Sequence, residues 1–152
     1  SRGLGDVYKR QGQLRALGLS LGGRGRRTVA GMNTLQKALI PVFGGAGVLH
    51  FIKPEPFDGI VPEQLPGSAR TYTYVSGVAE LATAALLANA KTRATGGAVA
   101  AALLLVVWPA NFNMAWQWRN KPWYLQAGAI ARLPLQIPMI RAGWDLYKKG
   151  KK

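Results

Sequence analysis

Four long stretches of this chain are apolar, and they break only at short clusters of Lys, Arg, Pro and Gly. They run over about 35–52, 71–90, 94–116 and 123–147. The second and third lack the charges every three or four residues that mark the wet face of a soluble helix. Each stretch is roughly 18 to 25 residues, the length that carries a helix across ~30 Å of hydrocarbon. The pattern predicts an all-α fold, a transmembrane four-helix bundle. Two of the three connections are tight, which predicts up-down-up-down topology. Gly44-Gly45, Gly96-Gly97, Pro109 and Pro134 would weaken soluble helices, but neighbouring helices in a membrane satisfy the freed backbone groups. The longest connection, 53–70, holds four prolines alternating with Phe57, Ile60, Val61 and Leu65. It reads as a loop or short helix lying on the membrane interface.

Composition alone hides this. The chain has 152 residues, 49% hydrophobic and 17% charged, and a mean hydropathy close to zero. The average misleads because Lys and Arg crowd into 1–31, the loops and the last five positions. The formal net charge of +14 could attract nucleic acid. These charges flank apolar runs and form no stripe on a soluble face, so no nucleic-acid partner is expected. The chain has no cysteine, which excludes disulfides, thiol redox chemistry and thiolate metal sites.

Residues 1–31 read differently from the rest. Asp6-Val7-Tyr8-Lys9-Arg10-Gln11 matches the translation of a sequencing adapter, and the Gly- and Arg-rich stretch after it lacks apolar periodicity. This segment is expected to be an artefact or a disordered leader, and 32–152 the folded domain. A signal or transit peptide fits less well, because no short apolar core with a small-residue cleavage site precedes Met32.

Orientation follows from Lys and Arg near the span ends. Lys37, Lys91, Arg93, Lys148, Lys149, Lys151 and Lys152 fall at one end of the bundle and outnumber Lys53, Arg70, Arg119 and Lys121 at the other. Both termini are therefore expected in the cytoplasm. Trp116, Trp118, Trp123 and Tyr124 cluster at one hairpin, with Trp144 and Tyr147 at the opposite end, as interfacial anchors do.

The candidate chemistry lies in the polar residues inside the apolar stretches. Glu80 and Arg132 each sit about nine residues in from the outer end of their segments, roughly 14 Å deep. A lone charge at that depth costs at least ~2.5–3.5 kcal/mol, so the two are expected to face inward and meet. Ser76, Gly77, Thr83 and Ala84 share the face of Glu80, and Gly128, Ala129 and Gln136 share that of Arg132. Small residues there allow close approach and the polar ones can bond across it. Asn111, Asn113 and His50 fall nearer the outer end and extend a polar path toward the pair. The candidate binding or proton-handling residues are thus Glu80, Arg132, Gln136, His50, Asn111, Asn113 and Ser76, with no catalytic residue and no metal ligand set assigned. The structural alternatives are a Glu–Arg pair that only fixes helix register, a His50 that simply faces water, and asparagines that satisfy backbone freed by Pro109.

These residues carry a family resemblance. Gly47-Val48-Leu49-His50-Phe51 is followed by Pro54, Ile60-Val61-Pro62 and Leu65-Pro66. Then come Tyr74-Val75-Ser76-Gly77-Val78-Ala79-Glu80-Leu81, Trp108-Pro109-Ala110-Asn111-Phe112-Asn113 and Arg132-Leu133-Pro134-Leu135-Gln136. In order and spacing the set resembles the DoxX-like family of small four-helix bacterial membrane proteins, over about 35–147. The resemblance implies a multi-pass plasma-membrane protein, an accessory subunit of a quinone-linked or oxidative-stress redox system. It implies no catalytic activity in the chain alone. The partners implied are the bilayer, a membrane oxidoreductase and a second copy of the chain. The chain shows no haem-ligand pair and no Gly-rich phosphate loop, so a redox cofactor would be bound quinone or belong to a partner. A membrane assembly scaffold and a small transporter with Glu80 as proton carrier are the other functions considered. The absence of an inverted repeat counts against transport.

Overall fold

Each long helix begins where the chain supplies a partner for its first free N–H groups. Asn33 caps the first, accepting from the Gln36 N–H at 2.8 Å, while the Gln36 side chain accepts from the Asn33 N–H at 3.1 Å. This reciprocal box satisfies two orphan donors at once. Helix α1 then spans Thr34–Ile52. A one-turn helix α2, Glu55–Asp58, opens behind Pro54. Ser68 caps α3, Ala69–Ala88, by accepting from Thr71 N–H at 3.2 Å. After a four-residue link comes α4, Arg93–Gln117, extended by a 3-10 turn over Trp118–Asn120. Pro122 precedes α5, Trp123–Gly150. The computed structural model describes residues 29 and 31–151. The leader expected over 1–31 lies outside the described residues, save Val29 and Gly31.

The four long helices pack as an antiparallel bundle. α1 lies along α3 and α4 along α5; α3 joins α4, and α1 meets α5 over a shorter length. Small residues set the closest crossings. A Cβ on Gly47 would come within 2.8 Å of Leu81 and 3.0 Å of the Gly77 carbonyl oxygen. Gly96 lies against the backbone of Leu86 and Leu87, and Gly97 against Gly143 and Leu146. Such contacts let backbones approach closely enough for dispersion alone to hold helices together.

The interior mixes apolar and polar side chains, and the exterior is unusually rich in large apolar ones. The core holds Leu39, Phe43, Leu87, Leu104, Met114 and Leu146 with small residues such as Ala100 and Ala142, and buries Gln36, His50, Thr73, Thr83 and Gln136 among them. The outside presents Ile52, Val75, Val78, Val106, Trp116 and Trp123, with Val106 and Ile52 each 74% exposed. A contiguous apolar exterior is rare on a soluble monomer.

The four-helix expectation holds, with ends within three residues of the expected ones. Among the described residues, only α1 and the Arg93–Asn120 segment are both long enough and apolar enough to cross a membrane. α3 and α5 have the length but not the composition. α5 carries Arg132, Arg141, Asp145, Lys148 and Lys149 over its 28 residues.

Residues 53–68 form a strap over one end of the bundle. Asp58 anchors it, accepting from Thr73 Oγ1 at 2.6 Å and from Arg70 Nε at 2.8 Å. Asn113 Nδ2 donates to the Ile60 carbonyl at 3.2 Å, and Tyr72 donates its hydroxyl to the Pro66 carbonyl at 2.6 Å.

Candidate functional site

Beneath the strap, α1 and α3 bring His50 and Glu80 together. Gly47 and Gly77 allow it, because the Cβ of His50 and the ring of Phe51 occupy the space a Cβ on Gly77 would need. His50 Nδ1 lies 2.7 Å from the Ala46 carbonyl oxygen and 3.1 Å from Glu80 Oε2. The side chains are 8% and 16% exposed, so the pair is shielded. The ring N–H is aimed at Ala46, leaving the carboxylate oxygen at ion-pair distance without a directed hydrogen bond. An imidazolium beside a carboxylate would cancel its charge and offset the cost of burying a lone ion. The strap closes the site: the Phe57 ring stacks on the imidazole, centroids 3.8 Å apart and planes 24° from parallel.

The second polar cluster ties α4 to α5. Asn111 Nδ2 donates to Gln136 Oε1 at 3.0 Å, and Gln136 Nε2 donates to the Leu104 carbonyl at 2.8 Å. Gln136 is 3% exposed, so both ends of its amide are used inside the bundle. On α4, the buried Trp108 Nε1–H has no hydrogen-bond partner among the described residues.

The expected Glu80–Arg132 pair is not formed. Arg132 lies on the exposed side of α5, and its Nη1 contacts the thioether of buried Met114 at 3.5 Å. The reason is register. Gly96 abuts Leu86–Leu87 and Gly97 abuts Gly143; counted antiparallel from those crossings, the α5 residue level with Glu80 is close to Gln136. Arg132 sits about one turn nearer the strap, and its guanidinium reaches further still. The other expected residues divide accordingly. Asn111 and Gln136 bond each other, and Asn113 holds the strap instead of a carbonyl freed by Pro109. Ser76 is half-buried one turn from Glu80. His50, expected on a polar path leading toward Glu80 with a water-facing role as the alternative, is the direct partner of Glu80.

Sequence reasoning missed Asp58, Thr73 and Phe57. Asp58 carried a readable signal as an acid in a proline-rich connection with Arg70 at the start of the next helix. Phe57 did not, since nothing in its spacing distinguishes a lid from a lipid anchor. The hydroxyl of Thr73 chiefly holds the Asp58 carboxyl below the usual carboxylate range; burial opposes it, and the Arg70 guanidinium adds to the lowering. Among the described residues no group of three or more His, Asp or Glu could hold a metal ion.

An all-α bundle of four long helices, apolar outside and built around two small polar clusters, is the class these features define. The chain matches the model of a domain family described as of unknown function, DUF8561, over residues 39–147 and belongs to that family. The match takes in both polar clusters and the strap. No curated protein and no solved structure matches the chain.

Proposed function

We propose that this chain is an integral membrane protein whose four long helices cross a bacterial plasma membrane, with both termini cytoplasmic. In this reading the His50–Glu80 pair is a buried proton-handling site of an accessory subunit in a membrane redox system. The observation that carries it is the apolar exterior over a shielded ionisable pair: valines, leucines and tryptophans outside, an imidazole and a carboxylate set inside the bundle. Ionisable residues inside a membrane are candidates for proton or substrate paths by default. The polar residues that disqualify α3 and α5 by composition support the same reading where they point inward, as Glu80, Thr83 and Gln136 do. The motif resemblance to DoxX-like proteins supports the redox assignment, with quinone as the small molecule and an oxidoreductase as partner.

A scaffold role is favoured by one observation: His50 is tied to its own helix through Ala46 and to the strap through Phe57, as a purely structural pin would be. Membrane fractionation with alkaline extraction tests the location; recovery in the soluble fraction refutes it. Glu80→Gln then separates the roles. Normal protein levels with loss of a co-purifying oxidoreductase's activity support the proton site. Disappearance of the protein from the membrane supports the scaffold.

A further inference from the structure

We infer that the strap end of the α4–α5 hairpin binds the phosphate headgroup of an anionic phospholipid, a proposal that rests on the membrane reading above. The first observation is charge. At the strap end the α4–α5 hairpin carries Arg119 and Lys121, with Arg132 further along α5, and residues 94–144 contain no acidic residue. At the same end of the bundle the α1–α3 side is balanced, Lys53 and Arg70 lying among Glu55, Asp58 and Glu63 with Arg70 paired to Asp58. At this end the hairpin is therefore the more cationic side.

The second observation is where the Arg132 guanidinium sits. Its only hydrogen bond among the described residues is a weak one to the Met114 thioether. To reach Met114 the side chain extends toward the strap end, stopping within roughly a turn of Trp116 and the 3-10 corner. Long cationic side chains in membranes reach for the interface in this way. Trp116 and Trp123 are 68% and 79% exposed, the placement of rings that mark the headgroup level. Arg119 belongs to the same collar: its guanidinium stacks 4.5 Å from the Trp116 ring centroid and donates to the Trp116 carbonyl at 2.9 Å. Two guanidinium groups and the exposed Lys121 therefore border a strip of surface whose lower part is apolar. A phosphate with acyl chains below it complements that strip in both charge and polarity.

The test uses the purified full chain in nanodiscs of phosphatidylcholine, alone or mixed with phosphatidylglycerol. Native mass spectrometry counts retained lipids, and tryptophan quenching by brominated phosphatidylglycerol or brominated phosphatidylcholine locates them. Preferential retention and quenching by phosphatidylglycerol are expected. Arg132→Ala, and Arg119→Ala with Lys121→Ala, should each reduce that preference about fivefold per cation removed, with helical content and entry into phosphatidylcholine discs unchanged. Equal retention of the two lipids by the native chain overturns the proposal, as does an unchanged preference in both variants. Competition by soluble glycerol phosphate at matched concentration overturns it in favour of a free-phosphate site. Failure of the chain to enter phosphatidylcholine discs at all would instead refute the membrane reading.

Discussion

Replacing His50 by alanine should destabilise the bundle more than any other change at a polar residue. The substitution removes the group 3.1 Å from Glu80 Oε2 and leaves the carboxylate shielded with no cation near it. Breaking a buried pair on one side costs about 3–5 kcal/mol, limited by the option of protonating the stranded acid. Loss of the Phe57 stack adds about 0.5–1.5 kcal/mol. Unfolding in mixed micelles, titrated with a denaturing detergent and followed by helical circular dichroism, should show a loss of about 4 kcal/mol. Adding Glu80→Gln to the same chain removes the stranded charge and should restore about 2–3 kcal/mol. Arg132→Ala, by contrast, should stay within about 0.5 kcal/mol, since an exposed guanidinium on a thioether does little for the fold. Equal losses for Arg132→Ala and His50→Ala, or no recovery on adding Glu80→Gln, would refute the assignment of His50 as partner.

The remaining predictions concern packing and the strap. Gly97→Ala places a Cβ against the Gly143 carbonyl and 2.7 Å from Leu146 Cβ, so it should cost about 1–3 kcal/mol in the same unfolding titration. Gly128→Ala, with nothing within 4 Å, should be neutral or stabilise by up to about 1 kcal/mol through helix propensity. Gln136→Leu leaves the Asn111 amide without its acceptor and should cost about 0.6–1.7 kcal/mol, read as earlier unfolding with helix content retained. Because the folded Asp58 carboxyl titrates below its unfolded value, its anchoring contribution is complete above the ordinary aspartate pKa of about 4. It is lost as pH falls through the lower folded value. Hydrogen exchange over 55–66 should therefore accelerate on acidification in the native chain, after correction for intrinsic rates, and already be fast at neutral pH in Asp58→Asn.

How much of this was legible in the sequence depends on which physical quantity each inference used. Helix number and extent were readable because apolar length and capping act locally. Asn33 with Gln36 and Ser68 before Ala69 start α1 and α3 within two residues of the expected positions. That Glu80 needs a buried partner was readable too, since the cost of a lone ion does not depend on where the partner comes from. The partner's identity was not. Depth counted from a helix end assumes that all ends lie in one plane, and here they do not. α3 starts two residues earlier than expected while α5 starts where expected, and the glycine crossings then slide α5 along α4. That slide lifts Arg132 about one turn above Glu80 and puts Gln136 at its level. His50 was misjudged for a related reason. Its position near the end of α1 correctly gives its distance along the helix, but exposure there depends on what folds over the end. The strap, pinned through Asp58 and Asn113, lays Phe57 across the ring and converts an interfacial histidine into a buried one. Register between helices and coverage by a long connection are both set by tertiary contacts, so a pattern read along one strand of sequence carries the demand for a partner without carrying its address.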